Sequence, residues 1–309
     1  MDTQVNVVFS AVGNPENFVV AQSLEKLDSQ ASVYVITSRK FSGSWNSRGA
    51  MVHIAASNSM AYWRKLFRHL LVRIAVLRIF SRRIRMYSNS RRRAFFMPPH
   101  NARHFEYLEL LRKLDPNSWT ILVDSRDLVF QVKPEELITK LNKDFSIHLF
   151  DEGEVFFKNG IRQIHGLSPA NWNWALQLKN FDVGAVDSLR NSPILNSGCI
   201  IGETQSLIEL IEQSCIELSN SLWSDIALLD QASLNFVAFS DLFRSRVLFH
   251  KNGELVLNMC GVINESVELV NGQLFTHHVP ISVVHQFDRF GNWNRTGGLT
   301  FSKREYRIQ

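Results

Sequence analysis

Two carboxylates directly follow an apolar, strand-like segment near the middle of the chain. Residues 119–123 are apolar except for Thr120, and Asp124 and Asp127 come immediately after them. Like charges at the end of a buried strand repel one another unless something positive lies between them. Carboxylate oxygens suit Mg²⁺ or Mn²⁺, and open α/β sheets bind ligands at the carboxyl ends of their strands. The pair is therefore a candidate metal site. The equal alternative is a turn in which Asp124 caps and Asp127 pairs with an arginine.

Further polar residues that could do chemistry are spread over the rest of the chain. They are Arg103, Asp151, Asn196, Gly198, Asp230, Gln231 and His285. A guanidinium such as Arg103 can bind a diphosphate with two parallel hydrogen bonds, although a solvated helix residue is as good an interpretation. Asp151, with Glu152 and Glu154 after it, follows another predicted strand and is a candidate acceptor-side base, although solvated loop acids are commoner. An isolated histidine such as His285 is usually structural.

The elements that must position these residues alternate between strands and helices. Short apolar runs predict strands, and apolar residues at spacings of three and four predict helices. The predicted strands are 5–9, 32–37, 119–123, 146–150, 194–202 and 282–284. The predicted helices are 16–27, 102–114, 203–218 and 224–237, and a further helix starts at 133–136. This alternation favours an α/β fold.

Four separated segments, in this order, resemble the metal-dependent glycosyltransferases of the GT-A fold. Residues 121–130, ILVDSRDLVF, are similar to the strand and DxD motif of that group. Residues 196–202, NSGCIIG, resemble its Asn-Ser-Gly strand, and residues 230–235, DQASLN, resemble its Asp-Gln helix. Residues 283–287, VVHQF, stand where these enzymes carry a late metal-binding histidine. The closest pattern is the retaining group that includes glycogenin and bacterial lipopolysaccharide galactosyltransferases, and the resemblance covers most of residues 4–290.

The resemblance implies a Rossmann-like mixed central sheet flanked by helices, in a single domain over residues 1–309. It implies Mn²⁺, or Mg²⁺, bound by Asp127 and His285, with Asp124 as a third ligand or as the group that holds the ribose. Two residues separate the two carboxylates where the motif has one, so Ser125 occupies the first acidic position if Asp127 is the second.

The resemblance also implies roles around the donor sugar. Arg103 would face the donor, Asn196 would bind the transferred sugar, and Gly198 would allow the ligand to approach closely. Asp230 would bind sugar hydroxyls, and Gln231 would lie against the reacting face of the sugar.

The net charge of +5 is unevenly distributed. No Asp or Glu occurs between Asp28 and Glu106, and residues 29–105 hold 15 of the 34 Lys and Arg residues. Apolar residues at helical spacing from Trp63 to Leu77, with arginines beside them, predict a basic amphipathic helical insertion at about 60–93. A helix face without acids fits an anionic membrane surface, whereas a core-facing helix with a solvated face is the even alternative. Nucleic acid is disfavoured because no nucleic-acid-binding motif accompanies the segment.

The sequence shows neither a span of about 20 apolar residues nor a secretory signal at its start. Three widely spaced cysteines fit free thiols in a reducing compartment. We therefore expect a cytoplasmic protein, peripheral at the inner face of the membrane.

Two functions follow from the sequence. The first is transfer of a sugar from a nucleotide diphosphate sugar, with UDP favoured, to a glycan or lipid-linked acceptor. This would occur with retention, in cell-surface polysaccharide or lipopolysaccharide synthesis. The alternative is a non-catalytic protein that binds a membrane or nucleic acid through its Arg-rich segment, residues 64–93.

Overall fold

The fold is that of a computed structural model. It describes residues 4–11, 19–37, 42, 45, 49–55, 97–125, 127–153, 155–156, 162–163, 169–224, 228–259, 267–271, 273–286, 291–294 and 298–301. The basic segment predicted at 60–93 lies outside these residues. Within them, no helix has the length and apolar character that crossing a membrane requires.

The strands, in chain order, are β1 (Val5–Ser10), β2 (Ser32–Thr37), β3 (Met51–Ile54), β4 (Trp119–Asp124), β5 (Leu128–Phe130), β6 (Ile147–Asp151), β7 (Val155–Phe156), β8 (Arg162–Gln163), β9 (Leu195–Glu203), β10 (Val247–His250), β11 (Val256–Asn258), β12 (Val267–Val270), β13 (Gln273–Thr276), β14 (Val279–Pro280), β15 (Val283–His285), β16 (Gly291–Asn294) and β17 (Gly298–Phe301). The helices are α1 (Val19–Lys26), α2 (Pro99–Leu111), α3 (Pro134–Thr139), α4 (Pro169–Leu178), α5 (Val183–Asp187), α6 (Thr204–Asn220) and α7 (Asp230–Ala238).

The largest sheet has seven strands in the order β10-β6-β9-β4-β1-β2-β3. Six of them run in one direction, and β9 runs antiparallel to both of its neighbours, β4 and β6. Apolar side chains from the strands alternate between two buried clusters, one on each face. Val8 and Leu122 pack with the residues of α2, α6 and α7, whereas Val7 and Ile121 pack with those of α1 and α3. The predicted α/β class, with a central mixed sheet flanked by helices, is confirmed.

The strand order reverses between β1 and β4. From β1 the chain proceeds outward through β2 to β3, and then returns to lay β4 against the other side of β1, with Ser10 opposite Asp124. In open α/β sheets a crevice forms outside the carboxyl ends of the strands at such a reversal, because the connections leave on opposite sides. Asp124 is the last residue of β4 and stands at this crevice.

A second, three-stranded sheet begins close to the carboxyl end of β4, since β5 starts at Leu128. Its order is β11-β15-β5, with β15 parallel to β11 and antiparallel to β5. The predicted strand 282–284 is therefore real, and it ends on His285. The antiparallel sheet β12-β13-β14 was not predicted from the sequence.

The start of α7 differs from the prediction by six residues. The sequence predicts a helix over 224–237, whereas α7 begins only at Asp230. The side-chain oxygen of Asn101, in α2, accepts hydrogen bonds from the backbone amides of Leu229 and Asp230 at 2.8 and 3.1 Å. These amides at the start of a helix have no partner inside it. A side chain from a distant helix therefore fixes where α7 begins.

Helix α2 is tied to α6 by a buried polar contact. His104 is fully buried, and its Nδ1 lies 2.8 Å from the hydroxyl of Ser214, which in turn contacts Ser233 of α7 at 2.6 Å. Burial away from water, with a smaller effect from the adjacent Arg103, lowers the pKa of His104 from 6.5 to about 4. The folded protein therefore holds this imidazole neutral.

This histidine predicts a pH dependence of stability. Between pH 6.5 and 4 the unfolded chain binds a proton at His104 that the folded chain does not, so stability falls as the pH decreases through this range. Relative to His104→Leu, the wild-type free energy of unfolding should fall by up to about 1.4 kcal/mol per pH unit there. Urea denaturation at a series of pH values measures it, and parallel curves for the two proteins would contradict it.

Candidate functional site

The candidate site forms where the two sheets meet. Asp124 ends β4, and Asp127 immediately precedes β5. Strand β15 pairs with β5 so that His285 lies opposite Leu128, and the backbone amide of Gln286 donates to the carbonyl oxygen of Asp127 at 2.6 Å. Strand pairing thus brings His285 to two carboxylates that are about 160 positions earlier in the sequence. The sequence supplied these three residues as metal candidates, and the structure brings them together.

One potential ligand atom from each of Asp124, Asp127 and His285 lies within 4.8 Å of the other two. His285 is 2% exposed, and its Nε2 lies 3.5 Å from Asp124 Oδ2 and 3.6 Å from Asp127 Oδ1. This Nε2 has no hydrogen-bond partner among the described residues. A buried ring nitrogen aimed at two carboxylates without a hydrogen bond is an arrangement that a divalent cation would complete. Carboxylate oxygens suit Mg²⁺ and Mn²⁺.

Gly198 provides the space for the His285 ring. A Cβ at this position of β9 would lie 2.4 Å from Cε1 and Nε2 of His285, and 2.8 Å from Oδ1 of Asn196. A Cβ this close would overlap with the ring, so only glycine fits here while His285 keeps its position. The sequence predicts that a ligand approaches Gly198 closely, whereas in the structure the approaching group is His285.

Arg103 joins three elements beneath this cluster. From α2 its guanidinium donates to Oδ1 of Asp124, to Oδ2 of Asp230 and, at 2.7 Å, to the hydroxyl of Ser197 in β9. The side chain is buried, so the interpretation as a solvated helix residue is wrong. Both terminal nitrogens of Arg103 donate to side chains of the chain itself, and two of these side chains are carboxylates.

The same guanidinium controls the charge of both carboxylates. Burial alone would raise the pKa of Asp124, but nearby positive charge, above all that of Arg103, outweighs it and holds this pKa well below its usual range. The pKa of Asp230 is lowered in the same way, with Arg103 opposing the effect of burial. Both groups are therefore ionised at neutral pH. Asp230, predicted to bind sugar hydroxyls, is a partner of Arg103 at the first turn of α7, where a negative charge also suits the helix dipole.

A second group of polar side chains surrounds Glu152, the residue after β6. Asn196 Nδ2 donates to its Oε1 at 3.0 Å, and Asn171 Nδ2 lies 3.4 Å from its Oε2. Gln231 donates to Asn171 at 2.9 Å. Burial raises the pKa of Glu152 above its usual range, although hydrogen bonds from these amides oppose the shift. A buried carboxyl of this kind is typical of functional sites.

Asp151, the residue predicted as a base, occupies a different environment. Its Oδ1 accepts hydrogen bonds from the backbone amides of Gly153 and Asn252, at 3.0 and 2.6 Å. Burial raises its pKa and these hydrogen bonds oppose the shift. The carboxylate thus organises two backbone turns, whereas that of Glu152 lies among the site's amides. The geometry therefore favours Glu152 over Asp151 as the acid of this region.

Three residues of the site were not among the sequence candidates: Asn171, Ser197 and Asn258. Asn258, in β11, lies opposite His285 in the parallel pair, and its Oδ1 is 2.8 Å from His285 Nδ1. Ser197 lies inside the NSG segment, so that motif was a usable signal for it. Asn171 and Asn258 follow no motif, because their importance arises from strand and helix packing alone.

No family model matches the sequence, and no curated protein matches it.

Removing the charge of Arg103 should destabilise the protein at neutral pH. Arg103→Met leaves Asp124 and Asp230 without their shared cation, and breaking a buried ion pair costs about 3–5 kcal/mol. The loss should shrink as the pH falls and both carboxyls become protonated. Urea denaturation measures it. The control is Arg112→Met at the end of the same helix, whose pair with Glu212 is half exposed and should contribute no more than about 1 kcal/mol. Equal losses in the two variants would contradict the prediction.

Gly198→Ala should displace the His285 ring and weaken Mn²⁺ binding at least tenfold, as changes around metal ligands do by roughly 10–100-fold. Isothermal titration calorimetry of the purified protein measures the affinity. Gly202→Ala is the matched control, because Gly202 lies in the same strand as Gly198. A Cβ at Gly202 would lie 2.7 Å from the backbone oxygen of Ser146, and no atom of His285 is among its nearest neighbours. This control should lose stability and keep its Mn²⁺ affinity. The prediction fails if both variants bind Mn²⁺ like the wild type.

Proposed function

We propose that the protein is a metal-dependent glycosyltransferase of the GT-A type, which transfers a sugar from a nucleotide diphosphate sugar to a glycan or lipid-linked acceptor. The observation that carries the proposal is the largely buried cluster of Asp124, Asp127 and His285 at the crevice between β1 and β4. The resemblance of four ordered segments to this group of enzymes supports it independently.

The cluster suits a donor whose leaving group is a diphosphate. Asp127 and His285, with Asp124 beside them, would hold Mn²⁺ or Mg²⁺. When bound, the ion would neutralise the negative charge that develops on the leaving phosphate. The crevice at a strand-order reversal is the usual binding place for nucleotides in α/β sheets.

The chain's own residues would hold the reactants around this point. Arg103 keeps Asp124 ionised and fixes its orientation, because it donates to one carboxylate oxygen and leaves the other facing His285. Asn196 and Gln231, with Glu152, offer amide and carboxyl groups of the kind that bind sugar hydroxyls. This set would orient the sugar against the diphosphate, and orientation of bound reactants is a major source of rate acceleration.

The finer assignments rest on the resemblance alone. They are UDP as the nucleotide, retention of the anomeric configuration, and a role in cell-surface polysaccharide or lipopolysaccharide synthesis. Docking on the cytoplasmic face of an anionic membrane rests on the composition of residues 60–93.

A donor site predicts stabilisation by nucleotide that depends on metal. Thermal unfolding is measured with a panel of nucleoside diphosphates, each with and without Mn²⁺. A ligand at about 100 times its dissociation constant adds about 2.7 kcal/mol to the stability of the folded state. We expect an upward shift for UDP that requires Mn²⁺ and is lost in Asp127→Ala.

The control variant is Asp187→Ala, which removes an exposed carboxylate paired with Arg190 and should keep the shift. If no nucleotide raises the unfolding temperature with Mn²⁺, the proposal is wrong. A shift that persists in Asp127→Ala would show that the nucleotide binds without this cluster.

A further inference from the structure

We infer that Asn258 is a positioning residue for the metal ligand His285. It fixes the imidazole in the tautomer that carries its proton on Nδ1, and so presents the lone pair of Nε2 to a divalent cation. The inference rests on the proposed metal site and adds to it a residue that no motif of the sequence singles out.

The orientation of the Asn258 amide follows from its other contact. The nitrogen Nδ2 lies 2.6 Å from the backbone carbonyl oxygen of Asp151. A carbonyl oxygen only accepts hydrogen bonds, so the group facing it must be the NH₂ of the amide. The opposite end of the amide, which lies 2.8 Å from His285 Nδ1, is therefore the oxygen.

The tautomer of His285 follows in turn. An amide oxygen only accepts, so the ring nitrogen that faces it must donate and carries the proton. In the neutral ring the other nitrogen, Nε2, then has a lone pair and no proton. This is the atom that lies 3.5 and 3.6 Å from the carboxylates of Asp124 and Asp127, with no hydrogen-bond partner among the described residues.

Asn258 is itself held rigidly. It is fully buried, and Asn252 brackets its backbone: Asn252 Oδ1 accepts from the Asn258 amide at 2.7 Å, and Asn252 Nδ2 donates to the Asn258 carbonyl at 3.0 Å. Strand pairing places Asn258 directly opposite His285. The acceptor is thus fixed before any ligand binds, which is the condition for orienting a metal ligand.

Two substitutions separate this role from a structural one. Asn258→Leu and Asn258→Asp both lose the NH₂ that donates to Asp151, but only Asp keeps an oxygen that can accept from His285 Nδ1. If Asn258 acts through His285, Asp preserves metal binding and Leu does not. If it acts only by tethering Asp151, the two variants are equally impaired.

The experiment measures Mn²⁺ binding to the full chain without nucleotide, by the electron paramagnetic resonance signal of free Mn²⁺. We expect Asn258→Leu to bind roughly 10–100-fold more weakly, the usual loss for a residue that orients a metal ligand. Asn258→Asp should bind at least as tightly as the wild type. The control is Asn6→Leu, which removes a buried asparagine that contacts Ser118 at the opposite end of the sheet, and it should leave the affinity unchanged.

The tautomer is measured separately by long-range ¹H–¹⁵N NMR of the metal-free wild type, in which the His285 proton should be on Nδ1. This measurement decides the inference even if Asn258→Leu does not fold. A proton on Nε2, or equal affinities for the Leu and Asp variants, would overturn the inference while leaving the metal site intact. If the wild type itself does not bind Mn²⁺, or if Asp127→Ala binds it equally well, the metal site fails and the inference with it.

Discussion

The site depends on one buried guanidinium. Arg103 reaches from α2 to the end of β4, to β9 and to the first residue of α7, so three elements from distant parts of the chain share a single cation. Burying charge is costly unless each charge is paired and hydrogen-bonded, and here the pairing and the tertiary contact are the same interaction. Helix α2 is held in place by its other polar side chains, since Asn101 caps α7 and His104 contacts α6. The position of Arg103 is therefore set by packing, and the ionisation of Asp124 follows from it.

The balance of charge explains why the cluster suits a divalent cation. Arg103 pairs with Asp124 and Asp230, while Asp127 lies beside His285 and Glu152 is bonded to Asn196, and all four carboxyl groups are largely buried. Burial raises the pKa of Glu152, whereas Asp124 and Asp230 stay ionised because of Arg103. Added positive charge beside Asp127 and His285 would lower the free energy of this arrangement, as it does wherever carboxylates cluster.

The sequence was informative where a local pattern determines an element, and where the residues of a motif are close together in the chain. Apolar runs located β1, β2, β4, β6 and β9, and the acidic residues after β4 identified one part of the site. The rest depended on pairings between segments far apart. No local pattern states that β9 runs antiparallel between two parallel neighbours, that Arg103 points inward, or that Asn258 lies opposite His285. The choice between Asp151 and Glu152 was also undetermined, because adjacent carboxylates at a strand end differ only in what the fold packs against them.

The contact between Gly198 and His285 has a consequence for how the central strand finds its place. Strand β9 is flanked on both sides, so a slip by one position would keep its ladders filled and exchange the faces of its side chains. Such a slip would bring Ser197 or Cys199 beneath the imidazole, and the Cβ of either would overlap with the ring. The ring therefore excludes both one-position shifts of β9. The observed alignment also presents Ser197 to Arg103 and Asn196 to Glu152, so the register of β9 and the contacts of the site depend on each other.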